Sequence, residues 1–181
     1  MKSDIKEEIE IPEGVEVSVA GSTIIVSCGG NRAERRFTYP KVSVGKNGNS
    51  IVFSSKKATK REKMMINTFK AHLRNMFRGV KDGYVYRLMI CSSHFPMSVS
   101  VDNEEVVIKN FLGEKIPRKT RIVNSTKVSI EGNIIVIKSH EKERAGEMAG
   151  RIEKMTNIKG RDRRVFQDGC YIIDKAGKTI R

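Results

Sequence analysis

Gly48-Asn49-Ser50-Ile51-Val52-Phe53 returns further along the chain as Gly132-Asn133-Ile134-Ile135-Val136-Ile137. Each copy is a turn followed by a β-branched, apolar run, which is the pattern of a hairpin strand. Working outward, Val17-Ser18-Val19 and Ile24-Ile25-Val26 have counterparts in Val99-Ser100-Val101 and Val106-Val107-Ile108. A long amphipathic helical pattern follows each copy. The chain is therefore expected to hold one small unit twice: an α+β fold of two tandem repeats, each a small, mainly antiparallel sheet with one packed helix. With 181 residues, the repeats are set at 1–90 and 91–181.

The helical segments are legible in more detail. Thr59 and Glu62 fit a capping box, and Met65, Phe69, Leu73, Met76 and Val80 recur every three or four residues. Gly79 is expected at the C-terminal end of that helix. Its polar side carries Lys60, Arg61, Lys63, Lys70, Arg74 and Arg78 and reads as a solvated face rather than an RNA surface. The second helix is expected to start near Ser139, with Ala145, Met148, Ala149, Ile152 and Met155 on its buried side. Tyr84 to Pro96, too apolar for a flexible linker, is expected to add a strand to the first sheet and to form a short domain junction. Val165 to Ile173 should complete the second sheet.

Charge narrows the function. The net charge is +14, and residues 1–90 hold 17 Lys and Arg against 9 Asp and Glu, residues 91–181 18 against 12. Both repeats are basic, as expected of a protein that binds a polyanion, because each neutralised phosphate releases condensed counterions. No stretch is long and apolar enough for a membrane span, and no helix has the bulky apolar face of an interfacial one. Cys28, Cys91 and Cys170 are widely spaced, form no metal pattern with His72, His94 or His140, and read as reduced, mostly buried thiols of an intracellular protein.

Two segments concentrate the charge: Lys115-x-x-Arg118-Lys119-x-Arg121 and Lys159-Gly160-Arg161-Asp162-Arg163-Arg164. Pro117 favours an extended loop in the first, and Gly160 lets the second approach a phosphate backbone closely. Arginine forks match phosphate oxygens in pairs. The RNA-binding candidates are therefore Lys115, Arg118, Lys119, Arg121, Lys159, Arg161, Arg163 and Arg164. Gly113-Glu114-Lys115 is no P-loop, since the upstream glycine and the following Ser or Thr are missing. No constellation for catalysis is found, and no metal or cofactor is expected.

Three stretches carry a family resemblance. Residues 74–99, RNMFRGVKDGYVYRLMICSSHFPMSV, 108–122, IKNFLGEKIPRKTRI, and 159–172, KGRDRRVFQDGCYI, together resemble the universal large-subunit ribosomal protein L-six family, called L-nine in the older eukaryotic naming. The wording is closer to its eukaryotic and archaeal branch. The resemblance implies two tandem α+β domains and a non-catalytic, cytoplasmic role in the ribosome. It further implies binding of large-subunit rRNA near the sarcin–ricin loop and the stalk base, beside neighbouring ribosomal proteins, where translation factors dock. In that family the C-terminal domain makes most RNA contacts, so the eight candidates above carry over, with Phe111, Leu112 and Gly113 shaping the first loop. The N-terminal repeat would extend the scaffold toward neighbours.

Overall fold

The computed structural model describes residues 3–93, 95–162 and 164–180. The chain divides between Asp82 and Gly83 into two compact units. The first contains β1 (Ser3–Glu10), β2 (Glu16–Ala20), β3 (Thr23–Cys28), β4 (Asn31–Arg36), β5 (Ser43–Asn47), β6 (Ser50–Ala58) and α1 (Lys60–Asp82). They form two antiparallel sheets, β1-β6-β5 and β2-β3-β4. Phe37, Phe53 and Phe69 meet at the centre of its core, the Phe37 and Phe69 rings edge to face at 5.2 Å.

The second unit contains β7 (Tyr84–Cys91), β8 (Ser98–Asp102), β9 (Glu105–Lys109), β10 (Arg118–Arg121), β11 (Thr126–Glu131), β12 (Ile134–Ser139), α2 (Lys142–Met155), β13 (Gly169–Lys175) and β14 (Lys178–Thr179). Its sheets run β10-β9-β8 and β11-β12-β7-β13-β14. Leu88, Ile108, Phe111, Ile135, Ile137, Met148 and Cys170 are fully enclosed between these sheets and α2. The small Ala145 and Ala149 let the helix sit close to the strands.

The architecture is the α+β duplication read from the two hairpins, and the matching strands fall in the same order in each unit. Several expectations change. Tyr84–Cys91 does not add to the first sheet. It pairs with β12 on one side and β13 on the other, at the centre of the five-stranded sheet. That central place explains its apolar character, since Tyr84, Tyr86 and Leu88 all face the core. It opens the second repeat as β1 opens the first: β7 pairs with β12 as β1 pairs with β6. The chain thus divides eight residues ahead of the expected break. β1 itself escaped notice because it is an edge strand: only Ile9 is buried, and five of its eight residues are charged.

The helix ends also differ. α1 continues past the buried Gly79 to Asp82, and Gly83, at φ +72°, supplies the left-handed residue that ends it. Its capping box is as expected: the Thr59 amide donates to Glu62 Oε2 at 2.8 Å, and the Arg61 amide to Thr59 Oγ1. α2 starts at Lys142, because Ser139 still pairs with Thr126 and Tyr84 in the sheet. Finally, the segment 114–122 is not one extended loop. Residues 118–121 form the edge strand β10 against β9.

Candidate nucleic-acid interface

The first basic segment begins with an unusual turn. Asn110, Leu112 and Gly113 all have positive φ, at +58°, +51° and +77°. Asparagine tolerates that conformation, and its Nδ2 donates to the Pro96 carbonyl at 3.0 Å. A Cβ on Gly113 would lie 3.5 Å from the Phe95 ring. Leu112 accepts left-handed geometry at a cost of roughly 1–2 kcal/mol, offset by its partial burial against the core and by the anchoring of Phe111, which is 1% exposed. Glu114 then closes the turn, its amide donating to the Phe111 carbonyl at 3.0 Å.

Arg118 fixes the position of the strand behind this turn. Its Nε donates to Glu114 Oε2 at 2.8 Å and its Nη2 to Oε1, a two-pronged grip. Its guanidinium lies 4.3 Å over the Phe111 ring, and Nη1 donates to the carbonyl of Met155, the last residue of α2. Arg118 therefore fastens the turn and β10 to the end of the helix. Strand alternation turns Lys119 and Arg121 to the opposite face, both exposed, with Arg121 3.9 Å from Glu105. Lys115 is exposed at the tip of the segment.

The second basic segment leaves the same helix end. Thr156 Oγ1 accepts the Cys170 amide at 3.0 Å, and the buried Asp168 accepts both the amide and the hydroxyl of Ser93. These two anchors hold the base of the loop between them. Within it, Lys159 and Gly160 are exposed, Gly160 at φ +68°. Arg161 lies 4.9 Å from the Phe166 ring. Arg164 closes on Asp162 with Nη2 at 2.9 Å, while the Asp162 carbonyl accepts the Val165 and Phe166 amides. Arg163 lies outside the described residues, as does His94.

Electrostatics join the two segments. The Glu114 carboxyl is held below its ordinary range, first by the hydrogen bond from Arg118, then by the charge of Arg118 and by that of Arg161. One carboxylate is therefore under the influence of an arginine from each segment. Asp162 is similarly lowered by its hydrogen bonds from Arg164. Each segment has one acid hydrogen-bonded to one of its arginines, Glu114 to Arg118 and Asp162 to Arg164, and cations outnumber acids in both. Planar, oriented guanidiniums with exposed lysines between them suit phosphate oxygens.

From sequence, Ile116 has no assigned role and Val165 is expected to open the last strand; β13 instead begins at Gly169, and both side chains are exposed. Ile116 is 80% exposed beside Lys115, and Val165 is 69% exposed beside Arg164. The available signal was an apolar residue inside a charged loop, out of register with any strand or helix. Such a side chain can pack on a ribose or a base face next to the cation that holds the phosphate.

Other chemistry finds little footing. Among the described residues, no group of three or more His, Cys, Asp or Glu could hold a metal ion, and no helix is long and apolar enough to cross a membrane. Of the three cysteines only Cys170 is buried, and burial pushes its thiol up to about 12. Cys28 and Cys91 are half-buried, less enclosed than their apolar settings in sequence suggested.

Comparison with known proteins agrees with this picture. The family model described as Ribosomal protein L6 matches twice, over residues 11–83 and 95–169. A Large ribosomal subunit protein uL6 from Methanobrevibacter smithii is 46% identical over 171 residues, covering 94% of this chain and 96% of its own. Another of the same name, from Methanococcus vannielii, is 39% identical over 176 residues, covering 97% of each. A duplicated α+β unit, matched copy by copy along nearly its whole length, places this chain in the ribosomal protein L6 family.

Proposed function

We propose that this chain is a structural constituent of the large ribosomal subunit that grips rRNA through its second unit. The observation that carries the reading is Arg118. By tying Glu114, Phe111 and the end of α2 together, it sets the two basic segments side by side as one rigid phosphate-binding edge. The phosphate contacts are Lys115, Lys119 and Arg121 on one segment and Lys159, Arg161, Arg163 and Arg164 on the other. Arg118 belongs to the same site by holding it in shape. Phosphate contacts fix position and orientation on folded RNA.

The family resemblance supports a place near the sarcin–ricin loop and the base of the stalk, beside other large-subunit proteins, in the region where translation factors dock. The relatives' shared name, Large ribosomal subunit protein uL6, supports the subunit. The role is non-catalytic and needs no cofactor or small-molecule substrate, and the protein works in the cytoplasm as part of the ribosome.

Crosslinking and sedimentation test this. The protein should comigrate with the large subunit at low salt and crosslink to rRNA through residues 115–121 and 159–164. Replacing Arg161 and Arg164 together by Ala should flatten the salt dependence of rRNA binding by about one unit per lost phosphate contact. A protein that never comigrates, or a slope left unchanged, refutes the reading.

A further inference from the structure

The first unit has a basic surface that the loops of the second do not account for. Lys60, Lys63, Lys70, Arg74, Arg78 and Lys81 follow one another along α1 at intervals of three, four or seven. Those intervals return to one side of a helix, so the six cations form a row. At about 1.5 Å per residue the row is about 30 Å long. It lies apart from the side that Ile66, Phe69, Leu73 and Val80 bury in the core.

Acids are scarce beside it. Two shallow depressions along this helix are lined by five cations and by a single carboxylate, that of Glu10. Glu7 on β1 is drawn into the row by a hydrogen bond from Lys70, and the charges of Lys63 and Arg74 also act on it. The solvent side between the cations is built of Asn67, Thr68 and Ala71, all short and exposed. Met64, 59% exposed, is the one large apolar side chain there, too little for a lipid surface.

We propose that this face of α1 is a second RNA-contact surface, which lies along the shallow minor groove of an A-form RNA duplex. A straight cationic row fits a long, regular polyanion. Asn67 offers donors and an acceptor to 2′-hydroxyls, which that groove displays, and Thr68, whose hydroxyl donates to the Met64 carbonyl at 3.0 Å, offers an acceptor; the short side chains let the helix approach. The site stands on the first unit alone and does not depend on the loops of the second.

The test uses the full chain and a synthetic RNA duplex of about 20 base pairs. The triple variant Lys63→Gln, Arg74→Gln, Lys81→Gln changes only exposed positions, and its thermal unfolding should match that of the parent. Its slope of log affinity against log salt should fall by roughly two to three units. Ala71→Trp keeps every charge but blocks close approach, and should weaken duplex binding about tenfold. A triple variant with the parental slope, or an Ala71→Trp variant that binds as tightly as the parent, overturns the proposal. If the triple is silent while Arg161→Ala with Arg164→Ala loses rRNA, this proposal fails and the ribosomal reading stands. If the triple loses duplex affinity while rRNA binding ignores the loop pair, the helix surface stands and the loop reading fails.

Discussion

Arg118 and Glu114, four residues apart, face each other across a turn and are joined by two hydrogen bonds from one guanidinium to one carboxylate. Pairs this open to water contribute little by charge alone. Here the same guanidinium also stacks on Phe111 and holds a helix-end carbonyl, so its removal undoes three contacts at once. Arg118→Ala should lower the unfolding free energy by about 1–2 kcal/mol. Arg164→Ala, at a side chain 90% exposed, should change it by less than about 0.5 kcal/mol. Urea denaturation separates the two, and equal losses would contradict the division between a positioning arginine and a contacting one.

Acid should loosen both units through two carboxylates. Glu62 is lowered by its hydrogen bonds from Thr59, and Glu114 by that from Arg118, each from an ordinary value of 4.5. A carboxyl lowered in the folded state stabilises fully above its unfolded value, and the contribution is lost as pH falls through the folded one. The loss therefore begins as pH falls to the ordinary value of 4.5 and is complete only below the lowered, folded one. Glu62→Gln with Glu114→Gln keeps acceptor oxygens but removes the titration. The variant's melting temperature should fall less steeply on acidification than the parent's, and parallel curves would count against the assignment.

The N-terminus of α1 offers a simpler case. Thr59→Ala removes the oxygen that accepts the Arg61 amide and donates to Glu62. The expected cost is about 1 kcal/mol, read as a lower urea midpoint with an unchanged slope. Thr59→Ser, which keeps the oxygen, should recover most of it. A Ser variant as weak as the Ala variant would mean that the methyl group, not the cap, matters.

Thiol reactivity should follow burial. Only the thiolate attacks a disulfide reagent, and Cys170, enclosed and pushed up to about 12, has almost none at neutral pH. The half-buried Cys28 and Cys91 should be labelled in the native protein, and Cys170 only after denaturant is added. Labelling of Cys170 in the native state at the rate of the other two would show that β13 opens readily.

Periodicity carried most of the fold. The paired turns at Gly48-Asn49 and Gly132-Asn133, the β-branched runs and the apolar stripe of α1 are local signals, and each marks an element in the structure. What local signals miss is partnership. Tyr84–Cys91 reads as apolar strand wherever it goes, and nothing in its own residues names β12 and β13 as its neighbours. β1 has the opposite fault: an edge strand full of charge looks like a polar tail. At the candidate site the charges were legible and their division of labour was not. Arg118 and Arg121 are indistinguishable in a basic run, yet strand alternation and the Phe111 ring turn one inward and leave the other in solvent.

The placement of β7 sets an order of events for a chain emerging from its N-terminus. Every strand and helix of the first unit precedes Gly83, so that unit can close while the remainder is still being made. The second cannot. Its central strand, β7, emerges first and must wait for β13, where Gly169 finally pairs with Cys91. The loop at 156–168 is bracketed by α2 and that late strand, so the Cys170 amide that Thr156 accepts arrives only with β13. The RNA contacts proposed for this edge therefore wait until β13 has been made.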